Sequence, residues 1–372
     1  MRGVADPASV RPMGGSHTAR AGRRYRRARR LTRNPRGVVA VVGTLLALLV
    51  FFALFGIFIT QYVPLWMIDN ESQLTSQAES SFAQFKSSVD QQYVLGGPAS
   101  YGTAFTISSQ GIPLLAQPTQ ATLVFLPTTC PGGFYAPGVS GATKSTYGQP
   151  VVPGYCIFQN VTLTTGPGGS GLYSQHLASG VLQMVLPNRY YTPQTFYFED
   201  DAVLQGQAGG YQIMDFPPPL NLTTVAGNTS ITSSLLQLYG NASTVLGQGS
   251  QQVFSHLRYA QVVASNGHNG RTFNYTFEIG TQYPCAWGHY LGAQMNLSGL
   301  PLWTKASGSR PLTAYYNFTN PIGGAATLPV PASACTNPAA GGTTVIALNI
   351  GNLNYATVFY AGVQVSLGIG GT

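Results

Sequence analysis

A chain of 372 residues that is 44% apolar and only 8% charged lacks the Lys, Glu and Arg that coat helical soluble enzymes. Its 45 Gly, 25 Pro and 21 Tyr suit a β-rich domain whose wet faces carry Ser, Thr, Asn and Gln. The formal charge of +8 is local: eleven of the 18 basic residues precede Val38, and beyond the apolar segment seven basic residues face nine carboxylates, which excludes a charge-based case for nucleic-acid binding by the rest of the chain.

Residues 1–36 form an Arg-rich tail with the composition of a disordered segment. Basic clusters directly before an apolar stretch are the positive-inside signal and attract anionic lipid, so the tail is expected in the cytoplasm. From Gly37 to Ile59 no charge interrupts the sequence. At about 1.5 Å per residue that stretch is long enough for a bilayer's hydrocarbon core. A transmembrane helix is therefore expected over 37–63, with Tyr62 and Trp66 in the aromatic belt at its outer end and no small-x-small cleavage site there. Over 64–98, Leu74, Ala78, Phe82, Phe85 and Val89 recur at three- and four-residue spacing and predict an amphipathic juxtamembrane helix. Asn70 is its expected N-cap, with Gln73 three residues on, and Gly96-Gly97-Pro98 its stop.

From about Tyr101 the apolar period becomes two. Phe273, Tyr275, Phe277 and Ile279 alternate with polar residues, as do Val363, Val365, Leu367 and Ile369. Shorter strands are expected at Ala121–Leu126, Cys156–Leu163, Val181–Leu186, Thr195–Phe198, Gln212–Phe216, Val253–Ala264 and Thr344–Ile350. With no helices between them, these strands predict a mainly β ectodomain over 99–372, built as an antiparallel β-sandwich or as two.

The four cysteines, Cys130, Cys156, Cys285 and Cys335, are too widely spaced for a zinc site, and an even number in an extracellular domain suggests disulfides. Three pairings are open. Cys130–Cys156 with Cys285–Cys335 is the favoured one, because near partners close loops in β domains. Asn-x-Ser/Thr occurs at Asn70 and at the glycosylation candidates Asn160, Asn221, Asn228, Asn241, Asn274, Asn296 and Asn317, all beyond the apolar segment where glycans belong.

Catalytic groups are sparse. The acidic cluster Glu199-Asp200-Asp201 has no Asp-x-Asp-x-Asp spacing for Ca²⁺ and reads as a solvated turn after a strand. His176, His256, His268 and His289 stand singly, with no HExxH, and no Gly-x-Ser-x-Gly elbow is present. The aromatics of Tyr283–Tyr290 read as packing over a disulfide in the core, with a sugar-binding face as the other option. No enzyme activity, cofactor or metal is expected.

The run Arg36-Gly37-Val38-Val39-Ala40-Val41-Val42-Gly43-Thr44-Leu45-Leu46 resembles the start of archaeal type IV pilin-like proteins. The resemblance implies cleavage between Gly37 and Val38 on the cytoplasmic side, with the helix kept for anchoring or filament packing. Val42 stands where many bacterial pilins place a Glu, Val39-Ala40 replaces the common Ser-Pro, and a leader of this length is long; an uncleaved signal anchor is the other reading. Gly111–Leu115, Asn188–Tyr191 through Tyr197–Glu199, Phe216–Pro218 and Tyr283–Tyr290 resemble an uncharacterised group of archaeal envelope proteins with a pilin-like helix and an amphipathic stalk. That resemblance implies architecture and surface location and brings no catalytic residues.

The sequence thus points to a pilin-like or single-pass anchored structural protein of the cell envelope, with its N-terminus in the cytoplasm and its C-terminal domain outside. Its expected partners are the lipid membrane, and either copies of itself or other envelope proteins. An adhesin or carbohydrate-binding module, and an anchored hydrolase, are alternatives of other classes. The low charge of the ectodomain suits an acidic medium.

Overall fold

Pro35 opens helix α1 (Pro35–Ile57), where its fixed φ suits a first helical position and its missing N–H is not needed. In the computed structural model the described residues are 35–96, 99–128, 130, 157–164, 171–207, 210–225, 228–266, 273–298, 314–320, 324–327 and 344–368. The Arg-rich tail over 1–34 lies outside them. The chain divides into two compact units, Met1–Gly56 and Ile57–Thr372. Among the described residues one helix is long and apolar enough to cross a membrane, and none of its most apolar window is buried. Its polar side chains are satisfied locally: the Thr44 hydroxyl donates to the Val41 carbonyl at 2.9 Å.

The second unit begins with a π turn, Phe58–Tyr62, followed by helix α2 (Val63–Leu95). Pro64 stands at the second position of α2, where a missing N–H is best tolerated, and helix runs on from it. This corrects the expected N-cap at Asn70. Asn70 lies inside α2, and its Nδ2 donates to the Gln110 carbonyl at 2.8 Å. The far end is as expected: Gly96 caps α2 in the left-handed region (φ 61°), its N–H bonded to the Gln92 carbonyl.

Among the described residues seventeen strands form three sheets. The first runs β1 (Ser100–Thr106), β12 (Ser250–Asn266), β17 (Tyr355–Leu367), β10 (Asn228–Tyr239), β9 (Asn221–Val225). The second runs β11 (Ser243–Leu246), β2 (Thr122–Leu126), β5 (Val181–Leu186), β6 (Gln194–Glu199), β7 (Ala202–Gln207), β8 (Gln212–Phe216). The third runs β15 (Gly324–Thr327), β14 (Ala314–Asn320), β16 (Thr344–Leu353), β13 (Phe273–Thr281), β3 (Ile157–Thr164), β4 (Gly171–Ser179). Pairing is antiparallel except between β10 and β17, which run parallel with Ser230 opposite Tyr355. A helix also interrupts the expected all-strand order: α3 (Pro284–Leu297) takes up most of the aromatic segment Tyr283–Tyr290.

Two apolar cores result. In one, the predicted stripe of α2 (Leu74, Ala78, Phe82, Phe85 and Val89) is buried with side chains of the first two sheets, among them Phe105, Phe125, Phe196, Phe198 and Val363. Phe82 stacks on Phe196 at 5.8 Å, and Phe85 meets Phe198 edge-on at 5.1 Å. In the other, the third sheet and α3 pack with Ile231 and Leu235 of β10, Val358 of β17 and Leu204 of β7. Successive strand residues face opposite ways, so β10 gives Leu235 to one core and Leu236 to the other. Strands β7, β10 and β17 are therefore apolar on both faces.

Candidate functional site: the buried carboxyls

The second unit holds nine carboxylates, and the helix and strands above bury four of them fully: Glu71, Glu199, Asp200 and Asp201. Glu71 occupies the stripe of α2 that otherwise reads Val63, Met67, Leu74 and Ala78, and it is fully buried. Its Oε1 accepts from the Thr119 hydroxyl (2.5 Å) and the Arg189 N–H (3.1 Å), and its Oε2 from the N–H groups of Tyr190 (2.8 Å) and Tyr191 (2.7 Å). Burial alone would raise its pKa, but these four donors outweigh it and hold the carboxyl below its ordinary value. Asn188 adds a second tie, donating to the Thr75 hydroxyl (3.3 Å) and the Thr192 carbonyl (3.0 Å). The Asn188–Tyr191 segment is thus a cradle that fastens the loop between β5 and β6 to α2.

Glu199-Asp200-Asp201 is not the solvated turn expected from sequence. Asp200 and Asp201 are the central pair of the β6–β7 hairpin, with Glu199 opposite Ala202 and positive φ at both aspartates (49° and 64°). That is the type I′ geometry, in which Asp is tolerated because its short side chain accepts left-handed backbone. The tip is buried rather than wet: Glu199 is 1% exposed, Asp200 and Asp201 are 0%. The reason is the length of β10 and the position of α2, which close over the hairpin end and supply its partners.

The carboxyls of two acids of the tip reach other elements, and that of the third does not. Glu199 accepts from the Thr281 hydroxyl at the end of β13 and from Trp287 Nε1 of α3 (3.2 Å). Asp201 bonds Lys86 Nζ of α2 (3.2 Å) and the Ser234 hydroxyl of β10 (3.1 Å). Lys86 also meets Asp90, one turn on, at 3.2 Å. The Asp200 carbonyl accepts from Gln159 Nε2 (3.1 Å), while Gln159 Oε1 takes the Leu236 N–H (2.8 Å), but both Asp200 carboxyl oxygens are buried without a partner. Burial pushes Glu199 up to about 7 and Asp200 well above the ordinary range; it lifts Asp201 to about 7 against the pull of Lys86. Elsewhere burial raises Glu278 to about 7 and Asp215, facing Glu79, to about 6. Chemically, these are buried acids whose protonation is favoured by burial, with Glu71 as the ionised exception and Asp201 paired to Lys86. Among the described residues no group of three or more His, Cys, Asp or Glu is arranged to hold a metal ion.

The other candidate residues are scattered. Gly37 and Val38 fall in the first turn of α1. Cys156 and Cys335 lie outside the described residues and the pairing with them; Cys130 and Cys285 are not free thiols. Trp287 is buried in the core, so the aromatic segment does not present it as a sugar-binding face. Among the sequons, Asn221 and Asn241 are exposed and Asn274 is half-buried on β13. Asn228, Asn296 and Asn317 lie on β10, α3 and β14. Asn160 is the exception: it is 1% exposed, and its Nδ2 donates to Glu278 across the strand pair at 2.7 Å. No glycan fits there in the folded domain, and glycopeptide mapping of native protein is expected to find Asn160 unmodified, with Asn241 modified before any half-buried site.

No protein family, curated protein or solved structure matches the chain.

Glu71 was not among the residues singled out from sequence, and the acidic turn, at the expected place after its strand, is buried rather than solvated. Glu71 was marked by its position, a lone carboxylate on an apolar stripe. The hairpin was marked by two aspartates between the alternating pairs Phe196/Phe198 and Val203/Gln205.

Proposed function

We propose that this chain is a single-pass, pilin-like structural protein of the cell envelope, anchored by its apolar helix with the β domain outside. The observation that carries the reading is the way α2 is used. An ordinary linker between an anchor and a domain is polar and free, whereas here the helix that follows the apolar segment is a core element of the domain. Its stripe is buried from Val63 to Val89, and its polar positions Glu71, Lys86 and Gln92 are bonded to other elements, Gln92 Nε2 reaching the Ser255 hydroxyl at 2.7 Å. A domain whose own core includes the helix that follows the apolar segment suits an envelope or filament subunit. The Arg-rich tail gives the orientation, tail inside and domain outside. A layered β-sandwich ectodomain with disulfides and surface glycans belongs to the same proposal.

The mature N-terminus, read by mass spectrometry on protein from native membranes, tests the pilin-like part. The expected first residue is Val38, with the apolar helix retained. A chain that keeps its Arg-rich tail would be an uncleaved signal anchor and would remove filament assembly from the proposal.

A further inference from the structure

We propose that the turn Gly111–Ala116 is a membrane-contacting foot: an apolar loop tip that rests in the outer interface of the bilayer and fixes the tilt of the ectodomain. This rests on the reading of the apolar helix as a membrane anchor.

The loop is built to hold apolar side chains in the open. Ile112 and Ala116 form an isolated bridge, with the N–H groups of Leu115 and Ala116 both bonded to the Ile112 carbonyl, and Pro113, Leu114 and Leu115 stand out from it exposed. Leu114 is the extreme case. It is fully exposed, at 106%, and held at φ 66°, a region that L-residues with bulky side chains avoid. In water such a residue loses twice, through backbone strain and through apolar exposure, and an interface that covers the side chain removes the second loss. No charged residue occurs between Ile107 and Thr119.

The loop is also placed at the right end of the unit. Both sides of its base are tied to α2 about two turns past Val63: the Gln110 carbonyl to Asn70 Nδ2, and the Thr119 hydroxyl to Glu71. Ser109 and Thr119 lock the base, each bonded to the other's backbone or side chain at 2.9 Å. Met67 and Val63, one and two turns before Glu71 on the same stripe, are 1% and 4% exposed. Covering chain therefore extends along the helix as far as residue 63, and both the base of this loop and the β5–β6 loop are fixed about two turns further on. On the adjoining face of the same turns Tyr62, Leu65 and Trp66 are exposed. Residue 63 is four residues past Ile59, or about 6 Å along a helix, within the interfacial zone that flanks the hydrocarbon core. Tyr and Trp are the side chains that settle in that zone.

The test uses the full chain reconstituted in liposomes, with a nitroxide carried by Leu114→Cys, Leu115→Cys, Phe52→Cys or Leu246→Cys in separate samples. Collision with oxygen against a water-soluble nickel complex reports depth. The expected result is interfacial depth at 114 and 115, hydrocarbon depth at 52 within α1, and water at 246, with oxygen accessibility several-fold higher at 114 than at 246. Hydrocarbon depth at 52 with water at both 114 and 115 would overturn the foot while leaving the anchor intact. Water at 52 as well would remove the anchor reading itself. Spin–spin broadening at 114 without lipid contact would also overturn the proposal, by showing a second copy of the chain over the loop.

Discussion

In a denaturant series run from about pH 8 to about pH 3, the β domain is expected to gain stability on acidification down to about pH 4. Most proteins lose stability over that range, because paired carboxylates must take up protons. Here the buried acids are raised: Glu199 and Glu278 to about 7 from 4.5, Asp215 to about 6 from 3.8, and Asp200 well above 3.8, each chiefly through burial. A raised folded pKa means that the folded state binds protons that the unfolded chain has already released. The stability is fully present below the unfolded values and is lost as pH rises through the folded ones. Glu199 alone accounts for roughly 3 kcal/mol across that window, a large share of the 5–15 kcal/mol that is typical of a domain. Asp200, whose carboxyl oxygens have no partner, sets the sharpest test. Asp200→Asn keeps the turn, since Asn also accepts left-handed backbone, and removes the proton uptake. It is expected to be more stable than the parent at pH 7 and equal to it near pH 4. A midpoint that falls steadily from pH 7 to pH 4 in the parent, or an Asp200→Asn curve parallel to the parent's, would contradict this account.

Glu71 works in the opposite sense. Its folded pKa is lowered, so its contribution is present above 4.5 and is lost as pH falls through the folded value. The two opposed trends place the maximum in the acid range rather than at neutrality. Replacement of Glu71 is the second large effect expected. Glu71→Ala leaves three N–H groups and one hydroxyl without their acceptor, and opens a void on the α2 stripe. Unsatisfied buried donors cost about 1–3 kcal/mol each, although water entering the void offsets part of that. A loss of roughly 3–5 kcal/mol is expected. Glu71→Gln keeps one acceptor oxygen and turns an NH₂ toward the remaining N–H groups, so its loss is expected to be smaller at low pH than at neutral pH. Because the cradle contains Arg189, trypsin supplies a local readout: cleavage after Arg189 is expected to accelerate in Glu71→Ala before global unfolding. An Arg189 bond that stays as resistant as in the parent would show that the loop is held by other contacts.

These effects show where sequence reasoning reached and where it stopped. The apolar stripe on α2 was legible because Leu74, Ala78, Phe82, Phe85 and Val89 repeat with the helical period, and all five are buried. Strands β5, β6, β8, β13 and β16 were legible from alternation or from short apolar runs between turn residues. Strand β10 was not. Its sequence Asn228–Tyr239 carries Ser233 and Ser234 among apolar residues, and it lies between two cores, so no single face alternates cleanly. The burial of Glu199-Asp200-Asp201 was illegible for a different reason. Three adjacent acids read as wet unless the partners are known, and Lys86, Ser234, Thr281 and Trp287 come from four separate elements far away in sequence. Helix α3 was hidden by its Gly and aromatic content, which lowers helix propensity and which the packing of Trp287 overrides.

The central claim is that one apolar helix holds the chain in the membrane with the β domain outside. Protease treatment of intact native cells, followed by peptide identification, tests it most directly. The account predicts that peptides from the β domain are released from intact cells, while the apolar helix stays with the membrane fraction. Protection of the β domain until the cells are lysed would contradict it.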